Sequence, residues 1–576
     1  MSHALHRYEW RDIQWKKIQK AVYKLQKRIY KASERGDGLA VKKLQKLMLK
    51  SKAAKLLAVR KVTQDNRGKR TAGIDGKTAL TPQERLEVSR QLSISSKAKP
   101  TRRVWIPKPD KTEKRPLGIP TIDDRALQAL VKLALEPEWE AKFEPNSYGF
   151  RPGRSAYDAI EAIFASIKIP KYVLDADISQ CFDKINHGVL LDKLGTFPAM
   201  RRLIKAWLKG GVIDNGVFQK TDAGTPQGGV ISPLLANIAL HGMENDIKNA
   251  LLKSGEITKK GSNPVASLSI IRYADDFVVV YPKLEIVEKC QVLIQEWLNK
   301  IGLELKDSKT SLVHTLNEHE NQPAGFDFLG FNVRQYKVGE HNSKRGYKTL
   351  VKPSNKAIKT HLRKLKSELR GMRGATQDAV IRKLSPIIRG WCNYYSTVVS
   401  SEIFDKLGDL LYKKLWRWAE FRHHNKGAQW IKRKYFRAHG KFIWMFKSED
   451  GWFLQPHGMY KIKRHTKVKG IKSPFDGDRA YWSSRAGKHP LLPEKLSKLM
   501  KVQSGKCSHC GLSFIGNEIM ELHHLDGNHK NNKPENLTLV HGHCHDHIHR
   551  TGMLVKHQEI EEPNESERFM FGSEDQ

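Results

Sequence analysis

Two adjacent carboxylates interrupt the most β-prone stretch of the chain. Residues 267–282 read SLSIIRYADDFVVVYP, so apolar, β-branched runs flank Asp275 and Asp276. Two such runs around a short polar interruption predict a β-hairpin with both carboxylates at its turn. Charges beside buried strands are costly unless a cation neutralises them, which favours a metal site. Taken alone, however, an Asp-Asp turn is more often structural or solvated.

A second apolar run, further towards the N-terminus, also ends close to a carboxylate. Residues 172–178 read YVLDADI, and the last carboxylate of this run is Asp177. If the fold places Asp177 beside Asp275 and Asp276, the three side chains could hold two Mg²⁺ ions about 3.5–4 Å apart. Such a pair stabilises the attacking and the leaving oxygen of an in-line displacement at phosphorus. The two runs together therefore predict phosphoryl-transfer chemistry.

The net charge of the chain indicates what kind of partner it binds. Its 576 residues include 102 Lys and Arg against 61 Asp and Glu, a formal net charge of +41. An excess of this size indicates a polyanionic partner, and nucleic acid is favoured over a membrane surface. No apolar run approaches the roughly 18 residues needed to span a bilayer, and no apolar signal region follows Met1. We therefore expect no membrane partner and a cytoplasmic location.

Composition and periodicity divide the chain into six segments. The length fits three or four domains of about 150 residues each. The predicted segments are an N-terminal helical extension (1–70), an α+β body (71–345), a basic helical region (346–470), a Pro- and Gly-containing linker region (471–502), a Cys/His-rich region (503–555) and an acidic, disordered tail (556–576).

Paired soft ligands near the C-terminus predict a zinc site. Cys507 and Cys510 are separated by two residues, as are His541 and Cys544. Each pair can wrap one side of a tetrahedral Zn²⁺ ion. In a chain without a signal peptide, this spacing favours a structural metal over disulfide bonds.

Six ordered motifs resemble those of reverse transcriptases. They are KRPLGIP (114–120), SYGFRPGR (147–154), DISQCFD (177–183), GTPQGG with the following ISP (224–233), YADD (273–276) and FLGF (328–331). Together with RGWCNYY at 389–395, they resemble more narrowly the group II intron-encoded proteins, which are bacterial reverse transcriptase/maturases.

The resemblance implies a multidomain α+β fold. Residues 71–345 would form the fingers and palm of a right-hand polymerase, with an antiparallel palm sheet. Residues 346–470 would form a helical thumb/X maturase domain, and 471–502 a small DNA-binding region. Residues 503–555 would form a zinc-stabilised ββα-metal HNH endonuclease module.

The polymerase motifs imply roles for individual side chains. Asp177 and Asp275 match the principal Mg²⁺ ligands, and Asp276 matches a nearby helper. Phe182 matches an aromatic that clashes with a 2′-hydroxyl and so selects dNTPs, although a core aromatic remains an alternative.

Four further side chains match nucleotide-handling positions. Lys108 and Arg115 correspond to the residues that grip the triphosphate, as a point charge and a planar fork respectively. Gln227 lies in a glycine-rich turn where the backbone can approach the nucleotide. Lys309 matches a lysine near the leaving pyrophosphate.

The C-terminal histidines resemble an HNH nuclease motif. By that match, His523 and His545 would hold a catalytic divalent cation, Mg²⁺ or similar. His524 would be the general base, and Asn536 would position its loop. The family more often has Cys where His541 stands. His549 and the other nearby histidines are expected to be bystanders, and a zinc ribbon that binds DNA without cutting it is the alternative.

The helical region interleaves aromatics with cations. Trp416, Trp418 and Trp430 lie among Lys and Arg residues, a composition suited to structured RNA. Each tryptophan taken singly is more often a core residue. The resemblance implies that this region grips the intron RNA and promotes its splicing.

The resemblance joins these parts into one cycle. The protein would bind its group II intron RNA as a ribonucleoprotein, cut target DNA with the HNH module, and extend the new end with dNTPs by target-primed reverse transcription. This is retrohoming of a mobile element, expected in bacterial cytoplasm in association with the nucleoid. A splicing cofactor with an inactive polymerase and a reverse transcriptase of another element type are the alternatives.

Overall fold

Short apolar strands alternate with longer helices, so the fold is mixed α/β. The computed structural model describes residues 9–94, 97–107, 113–257, 267–440, 442–515 and 519–552. The predicted acidic tail therefore lies outside the described residues.

The helices of the described residues are α1 (Trp15–Glu34), α2 (Gly38–Lys50), α3 (Lys52–Arg60), α4 (Pro82–Gln91), α5 (Ile122–Glu140), α6 (Ala156–Ser166), α7 (Cys181–Lys184), α8 (His187–Leu194), α9 (Pro198–Lys209), α10 (Ser232–Leu240), α11 (Met243–Lys253), α12 (Leu284–Asn299), α13 (Asn355–Gly371), α14 (Gln377–Tyr395), α15 (Ser401–Arg422), α16 (Ala428–Tyr435), α17 (Arg479–Gly487), α18 (Glu494–Val502) and α19 (Gly542–Thr551).

The strands are β1 (Thr101–Pro107), β2 (Lys114–Ile119), β3 (Tyr172–Asp177), β4 (Val212–Asp214), β5 (Val217–Gln219), β6 (Ser269–Tyr273), β7 (Asp276–Tyr281), β8 (Ser311–His314), β9 (Phe326–Phe328), β10 (Phe331–Lys337), β11 (Tyr347–Pro353), β12 (Phe436–His439), β13 (Phe442–Phe446), β14 (Met520–His524) and β15 (Leu537–His541).

These elements form two compact units. The larger unit comprises Ile18–Asp476 and His489–Leu491, and the smaller comprises Met1–Lys17, Gly477–Lys488 and Leu492–Gln576. All six polymerase-type motifs lie in the larger unit, and the Cys/His-rich residues lie in the smaller one. No helix in the described ranges is long and apolar enough to cross a membrane.

The acidic runs belong to one four-stranded antiparallel sheet, here named the acidic sheet, with strand order β6-β7-β3-β8. The apolar residues 277–280 of β7 are completely buried. Helix α12 packs on β3 and β7 with the apolar face that its i, i+3 and i+4 spacing creates. Ala274 and Asp275 form the turn between β6 and β7, so the predicted acidic hairpin is confirmed.

A second sheet, the N-terminal sheet, has the order β2-β1-β4-β5. Strands β1 and β2 form an antiparallel hairpin whose last described pair is Pro107 and Lys114. Lys108 belongs to the segment between these strands, residues 108–112, which lies outside the described residues.

The basic region after the acidic sheet is helical, as its sequence predicts. The sheet β11-β10-β9 leads into α13–α16 and the hairpin β12-β13. The ring of Trp391 on α14 lies against His361, Phe404 and Tyr395. Tyr394 donates a hydrogen bond from its hydroxyl to the carbonyl of Leu329 at 3.1 Å, which joins the 389–395 and 328–331 motifs.

The smaller unit has its own core. The antiparallel hairpin β14-β15 is followed directly by α19, a ββα arrangement. Its buried cluster combines Phe514, Leu539 and Ile548 with three cysteines and with Met500 of α18. Residues 494–502, predicted as part of a linker region, thus form a helix that packs in this core.

A buried ion pair stabilises the segment that leads into the larger unit's 147–154 motif. Arg151 and Glu140 each expose 1% of their side chains, and the guanidinium donates two parallel hydrogen bonds to the carboxylate at 2.9 and 3.0 Å. Its remaining nitrogen donates to the carbonyls of Glu144 and Ser147. Removing the cation would leave the buried Glu140 carboxylate without its hydrogen-bonded partner.

We therefore expect Arg151→Met to lower the free energy of unfolding by about 3–5 kcal/mol, measured by urea denaturation. The matched control Lys31→Met breaks the exposed Lys31–Glu34 pair and should cost less than about 1 kcal/mol. Equal effects of the two substitutions would contradict this account of the ion pair.

Candidate active site and metal centres

Three of the predicted aspartates meet at one edge of the acidic sheet. The register pairs Asp177 directly with Asp276, and Asp275 occupies the adjoining turn. Asp177 is buried, with 8% of its surface exposed, and the other two are half-buried. The ammonium of Lys309 forms an ion pair and hydrogen bond with the Asp177 carboxylate. The structure thus brings these four residues together.

The carboxylates disfavour one another's ionised forms. Burial, followed by the charges of Asp275 and Asp177, raises the pKa of Asp276 to about 6. Burial is also the main cause that raises the pKa of Asp275, while Lys309 and Arg115 oppose the rise. Clustered carboxylate oxygens are the ligands that Mg²⁺ prefers. The chemistry of this edge therefore fits a divalent cation, which would remove the repulsion.

A fourth carboxylate belongs to the same face of the sheet. Asp175 precedes Asp177 by two residues, and side chains two apart in a strand share a face. Burial, followed by the charge of Asp276, raises the pKa of Asp175 to about 7. The sequence analysis did not single out Asp175, although the Asp-x-Asp alternation in a β-type run was a signal for it.

Buried Arg272 supports the turn that carries Asp275. One terminal nitrogen of its guanidinium donates to the carbonyl of Ala274 and to the amide oxygen of Asn237, both at 3.1 Å. The other donates to the hydroxyl of Ser147 at 2.8 Å. This network fixes a turn in which Ala274 adopts a positive φ of 60°.

The motif at 147–154 lies directly against the same turn. A Cβ placed on Gly149 would lie 2.3 Å from the backbone nitrogen of Ala274, so only glycine fits here without displacement. The carbonyl of Gly149 accepts a hydrogen bond from Asn237 at 2.8 Å. Two separate motifs therefore fix the position of Asp275.

Two of the predicted nucleotide-handling residues, Arg115 and Phe182, lie on different elements. Arg115 is exposed on β2, and its charge lowers the pKa of Asp275. Phe182 is half-buried on α7, and its ring lies edge-on to the exposed ring of Phe150, with centroids 5.9 Å apart. The position of Phe182 is therefore not that of a fully enclosed core aromatic.

The glycine-rich turn holds Gln227 against both β2 and α7. The side-chain amide of Gln227 donates a hydrogen bond to the Asp183 carboxylate at 3.1 Å. The backbone carbonyl of Gln227 accepts a hydrogen bond from the backbone nitrogen of Gly118 at 2.6 Å. Gly228 has a φ of +119°, and a Cβ there would lie 2.8 Å from the Gly118 carbonyl oxygen. The turn therefore needs glycine at 228.

The predicted zinc ligands converge in the smaller unit. The side-chain ligand atoms of Cys507, Cys510, His541 and Cys544 lie within 4.8 Å of one another, and all four residues are buried. All six cysteines of the chain are free thiols. The thiols are coupled through hydrogen bonds, which lower the pKa of Cys507 and raise the pKa of Cys544. The donor set fits a soft metal such as Zn²⁺.

A second cluster in the same unit contains three histidines. Ring nitrogens of His523, His545 and His549 lie within 4.8 Å of one another, and the facing Nε2 atoms of His545 and His549 are 3.1 Å apart. Glu521 lies 2.8 Å from Nδ1 of His545. The sequence analysis treated His549 as a bystander, although its i, i+4 spacing from His545 on a helix was a signal for a shared site.

Beside this cluster, His524 is buried with neither ring nitrogen hydrogen-bonded to any residue that the structure describes. Asn536 closes the adjoining loop. Its amide nitrogen donates to the Asp526 carboxylate and to the carbonyl of Asn531, at 2.8 and 2.9 Å, and its oxygen accepts from the backbone nitrogen of Asp526. These contacts fix the loop that follows His524.

The tryptophans of the basic helical region divide between core and surface. Trp418 is buried and donates to the carbonyl of Met372, whereas Trp430 is exposed, with Lys434 5.3 Å from its ring. Trp444, which the sequence analysis did not select, is also exposed and has Lys432 3.9 Å from its ring. Exposed rings beside cations are typical of single-stranded nucleic-acid contacts.

Comparison with protein families matches three parts of the chain. Residues 106–333 match the family of reverse transcriptases (RNA-dependent DNA polymerases), and residues 10–92 match the N-terminal domain of reverse transcriptase. Residues 358–436 match the maturase-specific domain of group II introns. Reverse transcriptase domains generally use Mg²⁺, in agreement with the carboxylates of the acidic sheet.

Individual relatives lead to the same family. The chain is 28% identical over 521 residues to group II intron-encoded protein LtrA of Lactococcus lactis subsp. cremoris. This match covers 76% of this chain and 81% of LtrA. It is 32% identical over 315 residues to protein YkfC of Escherichia coli (strain K12), covering 47% of this chain and 78% of YkfC. Maturase-like protein 1 of Euglena gracilis is 28% identical over 399 residues, covering 66% and 76% respectively.

The polymerase-like fold, the carboxylates at one edge of the acidic sheet, and the matches to both reverse transcriptase and maturase domains agree with one another. The chain belongs to the family of group II intron-encoded reverse transcriptase/maturases.

Proposed function

We propose that this reverse transcriptase/maturase inserts its intron into DNA by HNH cleavage of one target strand followed by target-primed reverse transcription. The observation that carries the proposal is the presence, on one chain, of an acidic sheet edge and a separate ββα histidine cluster beside a Cys/His cluster. A cleavage step that creates a 3′-hydroxyl would supply the primer that a polymerase needs. The splicing reaction itself would belong to the intron RNA.

At the polymerase site, Asp177 and Asp275 would hold two Mg²⁺ ions, with Asp276 beside them. When bound, the ions would stabilise charge on the attacking and leaving oxygens. Arg115, Lys108 and Lys309 would hold the triphosphate through charge-assisted hydrogen bonds. Phe182 would exclude a 2′-hydroxyl from the sugar position, and Gln227 would align the nucleotide from the glycine-rich turn.

Replacing both turn carboxylates should abolish polymerisation. We expect Asp275→Asn/Asp276→Asn to reduce cDNA synthesis on a primed RNA template by about a thousand-fold or more, because the charge that binds Mg²⁺ is removed. Primer extension with labelled dNTPs measures this loss. The control Asp192→Asn changes an exposed carboxylate outside the acidic sheet and should retain activity. Persistent synthesis by the double variant would refute the assignment.

At the nuclease site, His523 and His545 would bind a divalent cation, and the geometry adds His549 as a third ligand. His524 would take a proton from the attacking water, a role suited to a ring with no hydrogen-bond partner among the described residues. Asn536 would hold the loop after His524 in place. The competing function is a DNA-binding module without nuclease activity.

Substituting the proposed general base separates these two functions. We expect His524→Ala to reduce target-strand cleavage by about a hundred-fold or more, while cDNA synthesis from a supplied primer and intron splicing stay unchanged. The matched control His547→Ala changes a histidine on α19 outside the three-histidine cluster and should cleave normally. If wild-type protein binds target DNA but does not cut it, the competing function is correct.

The Cys/His cluster would bind one structural Zn²⁺ ion and fix the fold around the hairpin β14-β15. We expect Cys510→Ser to reduce the zinc content from one ion per chain towards none, and to lower the unfolding temperature of the smaller unit. Metal analysis by mass spectrometry and calorimetry measure these effects. The control Cys290→Ala alters a buried thiol of the larger unit and should keep its zinc. A full zinc content in Cys510→Ser would contradict the ligand set.

The exposed aromatics of the basic helical region would contact intron RNA. Trp430 and Trp444 could stack on unpaired bases while Lys432 and Lys434 bind phosphates. Intact carboxylates in the acidic sheet favour this combined function over a splicing cofactor with an inactive polymerase. The match of residues 358–436 to the maturase-specific domain favours an intron-encoded protein over a reverse transcriptase from another kind of element.

A further inference from the structure

A basic pocket lies in the larger unit, lined by residues of α6, of the segment after it and of the β10-β11 hairpin. Its volume is about 410 Å³. None of the roles assigned above uses it. Its lining includes four cationic side chains and two aromatic ones: Lys168, Lys344, Arg345, Lys348, Phe164 and Tyr347.

The pocket wall is held together by specific contacts. The guanidinium of Arg345 donates to the carbonyl of Lys168 at 3.0 Å, and the hydroxyl of Tyr347 donates to the same carbonyl at 3.5 Å. Thr349 donates from its hydroxyl to the carbonyl of Ile167 at 3.1 Å. The β11 side of the hairpin is thus fixed to the segment after α6, which gives the pocket a defined shape.

The positive charges of the pocket outnumber the negative charges near them. Its lining contains no Asp or Glu, and within the described part of the chain none of its four cations forms an ion pair. Lys168, Lys344, Arg345 and Lys348 are all exposed. Lys168 interacts beyond ion-pair distance with the charge of Glu161 on α6. The lining still carries an excess of positive charge, so an anionic ligand would stabilise the pocket.

The aromatic side chains add a second kind of contact. Phe164 exposes 37% of its surface, and the ammonium of Lys168 lies 5.2 Å from its ring. An exposed ring between cations can stack on a base while the cations bind the flanking phosphates. A double helix would bury its bases away from the ring, so the chemistry selects an unpaired nucleotide.

The position of the pocket indicates which nucleic acid supplies that nucleotide. Strand β11 ends at Pro353, and α13 begins two residues later, at Asn355. The match to the maturase-specific domain begins at residue 358, within α13. The pocket is therefore continuous along the chain with the region proposed to hold intron RNA.

We propose that this pocket binds an unpaired nucleotide of the intron RNA, by stacking on Phe164 and by phosphate contacts with Lys344 and Lys348. The inference rests on the proposed binding of intron RNA. It adds a contact separate from the acidic sheet and from the exposed tryptophans.

Two variants of the full chain test this site against a matched control. Lys344→Gln/Lys348→Gln removes two pocket cations that donate no hydrogen bond to the pocket wall, and Phe164→Ala removes the ring. The control Lys253→Gln/Lys300→Gln removes two exposed cations: Lys253 is the last residue of α11, and Lys300 directly follows α12. Circular dichroism and the unfolding temperature verify that each variant folds.

The measurement is the dissociation constant for intron RNA across a range of salt concentrations. We expect Phe164→Ala to weaken binding by about ten-fold. The pocket double variant should reduce the slope of log K against log salt by about 1.4, because two phosphate contacts to a single strand are lost. The control should change neither the affinity for intron RNA nor the slope of log K against log salt. Primer extension on a homopolymer template should be unchanged in all variants.

Each alternative result has a distinct meaning. Wild-type-like RNA binding by both pocket variants overturns the pocket proposal, as does an equal loss in the control. An equal loss of affinity for single-stranded DNA of the same length, or reduced primer extension, overturns the assignment to intron RNA. If the wild-type chain itself does not bind intron RNA, the proposed function fails rather than the pocket alone.

Discussion

Electrostatic repulsion among buried carboxylates is the constraint on which the active site depends. Asp177, Asp275 and Asp276 lie at one edge of a sheet whose interior is apolar, and Asp175 shares their face. Burial and mutual repulsion raise the pKa of Asp276 and Asp175. An edge of this kind is stable with its carboxylates ionised only when cations balance them, which is the role proposed for Mg²⁺.

The surrounding structure holds this unfavourable arrangement in place. Arg272 donates a hydrogen bond to the carbonyl of Ala274 in the turn between β6 and β7. Gly149, which has no side chain, lets the 147–154 motif lie close to the backbone of the same turn. The smaller unit positions its ligands by a different means. There, a hairpin and a helix bring Cys and His side chains together beside a small apolar core. One chain thus combines a carboxylate-rich edge of a four-stranded sheet with a Cys/His cluster and a three-histidine cluster in a ββα unit.

Much of this arrangement could be predicted because it is encoded locally. The apolar, β-branched runs on either side of Asp275 and Asp276 predicted the acidic hairpin, and two-residue spacings predicted the Cys/His cluster. Asp175 and His549 were missed, since their roles depend on which face of a strand or helix meets the site. Arg272 could not be found in this way, because its partners Ser147 and Asn237 are distant in sequence and only the fold brings them to it. The basic pocket depends likewise on contact between α6 and a hairpin almost two hundred residues later.

The central claim is that the edge of the acidic sheet binds the two metal ions of polymerisation. A structure of the full chain with a primer–template, a non-reactive dNTP analogue and Mn²⁺ tests it most directly, because anomalous scattering locates each ion. The account predicts two peaks about 3.5–4 Å apart, coordinated by carboxylate oxygens of Asp177 and Asp275, with the triphosphate beside Arg115. A nucleotide and metal ions bound elsewhere, with these carboxylates uncoordinated, would contradict it.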